Sequence, residues 1–234
     1  MSDPKQSLSK LGIRDLSILR VKDIGAQVAW KTVFLLEYAG LLVIHLAIAA
    51  IYGFGRMTFG QWIALAMIAI HYGKRELETL FVHRFSHATM PVSGMIKNCT
   101  HYWLVGGVAL GRAIYTDSFT GTSLLWPWAF LLFLVAEAGN LYCHLMLSWL
   151  RPPGTKVRAI PRGFMFEYVS CPNYFFEALA WTAFALGTGS MVSWLFMVIG
   201  AGQMFIWAQK KHSAYLKEFK DYPKNRKAMF PFIA

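Results

Sequence analysis

This sequence predicts an all-α fold, a polytopic membrane helical bundle of six to seven transmembrane helices. Three observations carry the prediction. Of 234 residues, 56% are hydrophobic and only 15% charged, where an ordinary soluble domain carries about 25% charge. The mean hydropathy is +0.41, and the apolar residues gather into runs near the ~20 residues that a bilayer demands of a helix. The formal net charge of +11 lies between and beyond these runs, as cytoplasm-facing loops arrange it. That distribution gives no reason to expect a nucleic acid partner; the partner it implies is the lipid bilayer.

Residues 1–32 read as a basic, amphipathic cytoplasmic lead-in carrying Lys5, Lys10, Arg14, Arg20, Lys22 and Lys31. It lacks the short apolar core of a cleavable signal peptide. Residues 33–234 then form one membrane-embedded domain without repeats. The first span is 33–52. The second, 59–72, runs on into the polar Lys74-Arg75-Glu76-Leu77-Glu78-Thr79. A shorter apolar run covers 102–114, and 124–150 is the clearest in length. After the basic loop 151–162 come 164–186 and 191–208, with a cytoplasmic tail from about 210. Two spans separate the basic loop from the basic tail, so both can face the cytoplasm. Cys99, Cys143 and Cys171 form no CxxC pair and imply no disulfide framework. Asn98-Cys99-Thr100 matches a glycosylation sequon close to an apolar segment.

Within this hydrophobic chain the informative residues are polar ones. Cys171-Pro172-Asn173-Tyr174-Phe175-Phe176-Glu177 puts an amide, a phenol and a carboxylate at the start of a span, where a bilayer tolerates them only facing the protein interior. Asn173 and Glu177 are four residues apart and share a helix face, with Tyr174 adjacent. Ser170 is the expected N-cap, and Pro172 fits a first helical turn. Asn140, His144 and Arg151 also fall within about 40° of one helix face. A polar stripe ending in arginine suits a phosphate-bearing ligand; a headgroup anchor is the other reading. His212, Tyr215, Phe219 and Tyr222 lie at helical spacing, and an interfacial amphipathic helix would show the same pattern. Glu37 stands alone in the first span and must face the bundle or the interface. Arg75 and Glu78 have the spacing of an i, i+3 ion pair. His83 and His87 have metal-ligand spacing, but the other histidines are scattered, so no metal is expected. No GxGxxG or GxxxxGK[ST] loop is present.

Several of these blocks are familiar. The stretch from Lys74 to Pro91 (KRELETLFVHRFSHATMP), Val169-Ser170-Cys171-Pro172-Asn173-Tyr174, and the block from Tyr215 to Pro223 (YLKEFKDYP) closely resemble the trans-2-enoyl-CoA reductases of very-long-chain fatty acid elongation, members of the steroid 5α-reductase family. The likeness runs from about Asp23 to the C-terminus. Many animal members carry a ubiquitin-like domain ahead of the membrane region, where this chain has its short lead-in. The resemblance implies a multi-pass endoplasmic reticulum enzyme whose site opens to the cytoplasm. It would use NADPH to saturate the C2–C3 double bond of a very-long-chain enoyl-CoA, alongside other fatty acid elongation enzymes.

The same matching distributes roles. Tyr174 would be the acid that protonates C2, with Glu177 orienting it or polarising the thioester. Asn140, His144, Arg151, Asn173, His212, Tyr215, Asp221 and Tyr222 would bind the cofactor. Glu37, Arg75, Glu78 and Thr79 would line the substrate. Glu37 aligns with an acidic residue near the steroid carbonyl, and Thr79 falls where steroid reductases use a second tyrosine, which argues against a steroid substrate. Three alternatives remain: a steroid or other enone reductase, an isoprenylcysteine-type methyltransferase with a similar tail, and a non-catalytic membrane scaffold.

Overall fold

In the computed structural model, residues 23, 25–85, 88–119, 121, 124–152, 155 and 158–233 are described. Most of the lead-in, and His87, lie outside them. Among the described residues, six helical runs form the bundle. Helix α1 (Trp30–Tyr52) ends at Gly53, whose φ of 104° is open to glycine. Helix α2 (Phe59–Leu77) starts with a capping box: Thr58 Oγ1 accepts from the Gln61 N–H at 3.3 Å, and Gln61 Oε1 from the Thr58 N–H at 2.8 Å. Gln61 also donates from Nε2 to the carbonyls of Ile114 and Thr116.

Helix α2 continues into a π-helical turn, Glu78–Val82. Such a turn changes which way successive side chains point, and it often marks a functional site. The third run is α3 (Val92–Thr100), a π-helical stretch (His101–Ala109) and α4 (Leu110–Ile114). Then come α5 (Trp126–Trp149), α6 (Pro172–Thr188) and α7 (Met191–Glu218).

Helices α1, α5 and α7 are each long and apolar enough to cross a membrane. The other runs pack among them around a core that includes Leu41, Ile68, Trp126, Phe133, Trp181 and Phe184. Large apolar side chains stay exposed on the outside, among them Ile51 at 86%, Trp128 at 70% and Met191 at 71%. Water would penalise such a surface; lipid does not. The molecule is a membrane helical bundle.

Four details differ from the sequence expectation. Residues Gln27–Ala29 (β1) pair antiparallel with Thr89–Pro91 (β2), a two-stranded ribbon that feeds α1 and α3. Met90 precedes a proline and is held extended, a preference invisible to hydropathy. The third run begins at Val92 rather than 102, because Lys97 and Asn98 dilute its first turns. Residues Phe164–Glu167 form only a 3-10 turn, and α6 waits for Pro172 at its first position. The N-cap of α6 is Cys171, without a side-chain cap; Ser170 is used elsewhere. Close contact between α5 and α6 needs Gly139, where an added Cβ would meet the Phe176 ring at 2.5 Å.

The tail folds back on the entrance to α6. Val169 and Lys227 form a parallel bridge, with the Ser170 N–H donating to Lys227 O at 2.8 Å and the Cys171 N–H to Ala228 O at 3.1 Å. Arg226 is buried and fixes this return, donating from Nη1 to Pro161 O at 2.9 Å and pairing with Glu167 at 3.3 Å.

Candidate active site

The interior between α2, α5 and α6 holds a dense polar cluster. Glu177, from α6, has both oxygens engaged: Oε1 lies 3.2 Å from His71 Nε2, and Oε2 accepts from Asn140 Nδ2 at 3.2 Å. Asn140 Nδ2 also donates to the Asn173 carbonyl at 2.9 Å. On its other side His71 Nδ1 lies 2.6 Å from Glu137 Oε1. Lys74 is 2.9 Å from Glu137 Oε2 and 3.4 Å from Glu78 Oε1, and it donates to Asn140 Oδ1. Arg75 binds Glu78 Oε2 at 2.8 Å and donates to Tyr38 Oη at 2.9 Å. These charges are tolerable in an apolar bundle because each carboxylate meets a cation or hydrogen-bond donor.

His144 faces the same cluster. Its Nδ1 lies 3.0 Å from Glu78 Oε2, 3.1 Å from His83 Nε2 and 3.2 Å from Arg75 Nη1. Glu78, His83 and His144 bring their ligand atoms within 4.8 Å of one another. However, Arg75 already supplies a cation at the carboxylate oxygen a metal would use. Burial, with Arg75 and His144 alongside, pushes the His83 imidazole down to about 3.

Tyr174 faces another way. Its half-buried ring lies 4.8 Å from Lys211 Nζ and 6.4 Å from the Trp207 ring, both on α7. Tyr174 and Glu177 are three residues apart, about 60° on a helix, which is enough to give them different neighbours. Glu177 therefore anchors to α2 and α5 while Tyr174 meets α7.

A third group lies where α7 leaves the bundle. Ser170 Oγ is 2.6 Å from His212 Nδ1 and 2.6 Å from Tyr222 Oη. Helix α7 ends at Glu218, so the spacing that aligns His212 with Tyr222 is not one continuous helix; the chain turns and stacks Tyr222 on Tyr215 at 5.2 Å. Arg158 lies over Tyr215 and pairs with Glu218 at 2.7 Å. Beside this stack, a groove of about 560 Å³ is lined by His212, Lys224, Arg226 and Lys227 among others.

The remaining expected residues scatter. Thr79 is buried and spends its hydroxyl on the Arg75 carbonyl at 2.8 Å. Arg151 donates to Arg84 O at 2.8 Å, and Arg84 returns a bond to Arg151 O. Glu37 is buried in α1 near Asn98, with Oε1 lacking a hydrogen-bond partner among the described residues. Asp221 is exposed. Sequence reading missed His71, Glu137 and Lys211, took Lys74 only as a neighbour of Arg75 and Glu78, and took Ser170 only as a cap. It also missed Tyr72, whose ring packs on His71 and Tyr38 and whose buried hydroxyl has no hydrogen-bond partner among the described residues. A lone ionisable residue inside an apolar run, the signal that singled out Glu37, also marks His71 and Glu137.

Comparison with known proteins matches residues 88–234 to the family described as 3-oxo-5-alpha-steroid 4-dehydrogenase. The very-long-chain enoyl-CoA reductase of Dictyostelium discoideum is 43% identical over 93% of this chain and 74% of its own length. A Caenorhabditis elegans protein named "Probable very-long-chain enoyl-CoA reductase art-1" is 42% identical, covering 97% and 80%. The human trans-2,3-enoyl-CoA reductase-like protein is 34% identical, covering 97% and 67%. With relatives this similar along nearly its whole length, the chain belongs to the enoyl-CoA reductases of the 3-oxo-5-alpha-steroid 4-dehydrogenase family.

Proposed function

We propose that this protein reduces the C2–C3 double bond of a very-long-chain trans-2-enoyl-CoA with NADPH, the last step of a fatty acid elongation cycle. The observation that carries the reading is the start of α6. One helical turn presents Tyr174 beside a cation and Glu177 inside a hydrogen-bonded cluster, within a bundle otherwise lined by apolar side chains.

The donor set at the tail fits a nicotinamide dinucleotide. His212, Lys224 and Lys227 line the groove and offer cationic or hydrogen-bonding partners to phosphates. In our reading the cofactor site takes His212 in the groove together with Arg151, Asn173, Tyr215, Asp221 and Tyr222 outside its lining. Asn140 and His144 act instead within the protein, bonded as they are to Glu177 and Glu78. When bound, the cofactor supplies the hydride that adds to C3. Tyr174 then breaks its O–H bond to form the C–H bond at C2, and Lys211 stabilises the phenolate left behind. The apolar walls keep water from the developing enolate. The acyl chain runs between helices toward lipid, and Glu37, Arg75, Glu78 and Thr79 border its thioester end.

The basic tail favours a cytoplasmic site, which suits soluble CoA thioesters, in the endoplasmic reticulum membrane beside other elongation enzymes. Residues 1–32 are the cytoplasmic lead-in and 33–234 the reductase domain. The test is oxidation of NADPH by the detergent-solubilised protein, with a C18 trans-2-enoyl-CoA and a 3-oxo-4-ene steroid side by side and NADH in parallel. Turnover of the thioester with NADPH is expected. Turnover of the steroid alone would overturn the substrate, and turnover with NADH alone would overturn the cofactor.

A further inference from the structure

One buried hydroxyl ties the entrance of α6 to both α7 and the tail. Ser170 Oγ lies 2.6 Å from Tyr222 Oη and 2.6 Å from His212 Nδ1. The backbone fixes where that hydroxyl sits, because the Ser170 N–H donates to Lys227 O at 2.8 Å and Val169 bridges to Lys227. Tyr222 is fixed as well. It is buried, its ring stacks on Tyr215 at 5.2 Å with 2° between the planes, and the Arg226 guanidinium lies 5.2 Å from its other contacts' shared ring centre. His212 is half-buried and lines the basic groove beside Lys224, Arg226 and Lys227.

The hydrogens of this trio can be placed by counting. Each hydroxyl carries one hydrogen, and a buried one needs an acceptor. Among the described residues Ser170 is the one hydrogen-bond partner of the Tyr222 hydroxyl, so the phenol donates and Ser170 Oγ accepts. Ser170 then has its own hydrogen left for its second partner, His212 Nδ1, which accepts it. A ring nitrogen that accepts carries no proton, so the neutral imidazole holds its proton on Nε2. A doubly protonated ring would break this pattern and set a further positive charge among Lys224, Arg226 and Lys227. Nε2 itself has no hydrogen-bond partner among the described residues. We infer that Ser170 is a positioning residue of the cofactor site: held by Tyr222, it fixes His212 so that Nε2–H donates to a phosphate oxygen of the dinucleotide. The lysines of the groove offer charge on flexible stems, whereas a fixed neutral N–H adds a directed bond. The donor is set only while the tail is folded against α6, because Tyr222 reaches Ser170 from there.

This inference rests on the dinucleotide reading of the groove, and its test keeps the two apart. Long-range ¹H–¹⁵N spectra of the full chain in detergent, labelled with ¹⁵N-histidine and free of cofactor, read each ring nitrogen as protonated or bare. His212 is assigned by the signal lost in His212→Gln. The expected wild-type spectrum has a bare Nδ1 and a protonated Nε2. In Tyr222→Phe, Ser170 Oγ loses its donor and can accept from Nδ1, so part of the proton moves there. A wild-type ring protonated on Nδ1, or a Tyr222→Phe spectrum identical to wild type, would overturn the assignment. NADPH binding and turnover are then compared for Ser170→Ala and Ser170→Thr. Ser170→Ala should weaken NADPH binding about 10-fold, the loss of one hydrogen bond to a charged group, and the effect on turnover should fall on KM rather than kcat. Ser170→Thr, which restores the hydroxyl, should keep most of the affinity. Wild-type NADPH affinity in Ser170→Ala would overturn the positioning role. If Ser170→Ala fails to fold, the spectrum and NADPH affinity of Tyr222→Phe decide. A wild type that binds no NADPH overturns the dinucleotide reading and the ligand assigned here, while the cofactor-free spectrum still decides the hold of Ser170 on His212.

Discussion

Lys74→Met is the substitution that most directly probes the buried charge cluster. The ammonium is 2.9 Å from Glu137 Oε2 and 3.4 Å from Glu78 Oε1, and it also holds Asn140 Oδ1. At an effective dielectric of ~20, those two contacts are worth about 6 and about 5 kcal/mol of Coulomb attraction. Desolvation of the ammonium offsets several kcal/mol of this, and methionine keeps the packing of the stem. The net loss is then about 3–5 kcal/mol, as for other buried pairs stripped of one partner. For a chain of this size that is a fall in Tm of roughly 6–20 °C, read by thermal unfolding in detergent. Adding Glu137→Gln removes the stranded carboxylate and should restore at least about 1 kcal/mol, the coupling expected of residues in contact. A Lys74→Met protein melting within about 2 °C of wild type, or a double variant that merely sums the single losses, would refute the reasoning.

Other outcomes follow from packing and from the site. Gly139→Ala drives a Cβ to 2.5 Å from the Phe176 ring and should destabilise by about 1–3 kcal/mol. Gly202→Ala, whose Cβ meets nothing within 4 Å, should be neutral or gain up to about 1 kcal/mol; equal melting temperatures would count against the close α5–α6 contact. Arg226→Met removes the bonds to Pro161 and Glu167 and should free the tail to limited proteolysis, with NADPH affinity falling about 10-fold or more. An intact tail would contradict the clasp. Lys211→Met should lower kcat about 10-fold or more with little change in NADPH affinity, while Lys211→Arg retains most of the rate. A loss confined to KM would remove Lys211 from the chemistry.

The helices were legible because a bilayer imposes length and apolarity on each span, and that signal survives in composition alone. The polar block at Cys171–Glu177 was legible for the converse reason, since polar groups in lipid demand an explanation. What stayed hidden depends on contacts between distant segments. Glu177 looked like a partner for Tyr174, but three residues of helix turn it toward His71 and Asn140. Ser170 had the position of a cap, yet its hydroxyl is drawn to His212 and Tyr222 once the tail folds back. Lys211 was one lysine in a basic tail until α7 placed it on the Tyr174 ring. The β1–β2 ribbon joins segments some 60 residues apart in sequence, which no local pattern reveals.

The measurement closest to the central claim is turnover of a C18 trans-2-enoyl-CoA by Tyr174→Phe beside wild type, with NADPH binding measured separately. Phenylalanine keeps the ring against Lys211 and Trp207 and removes only the proton donor. The expected result is unchanged NADPH affinity and a kcat lower by about 10²-fold or more, the usual contribution of a positioned general acid. Wild-type turnover in the variant would contradict the account.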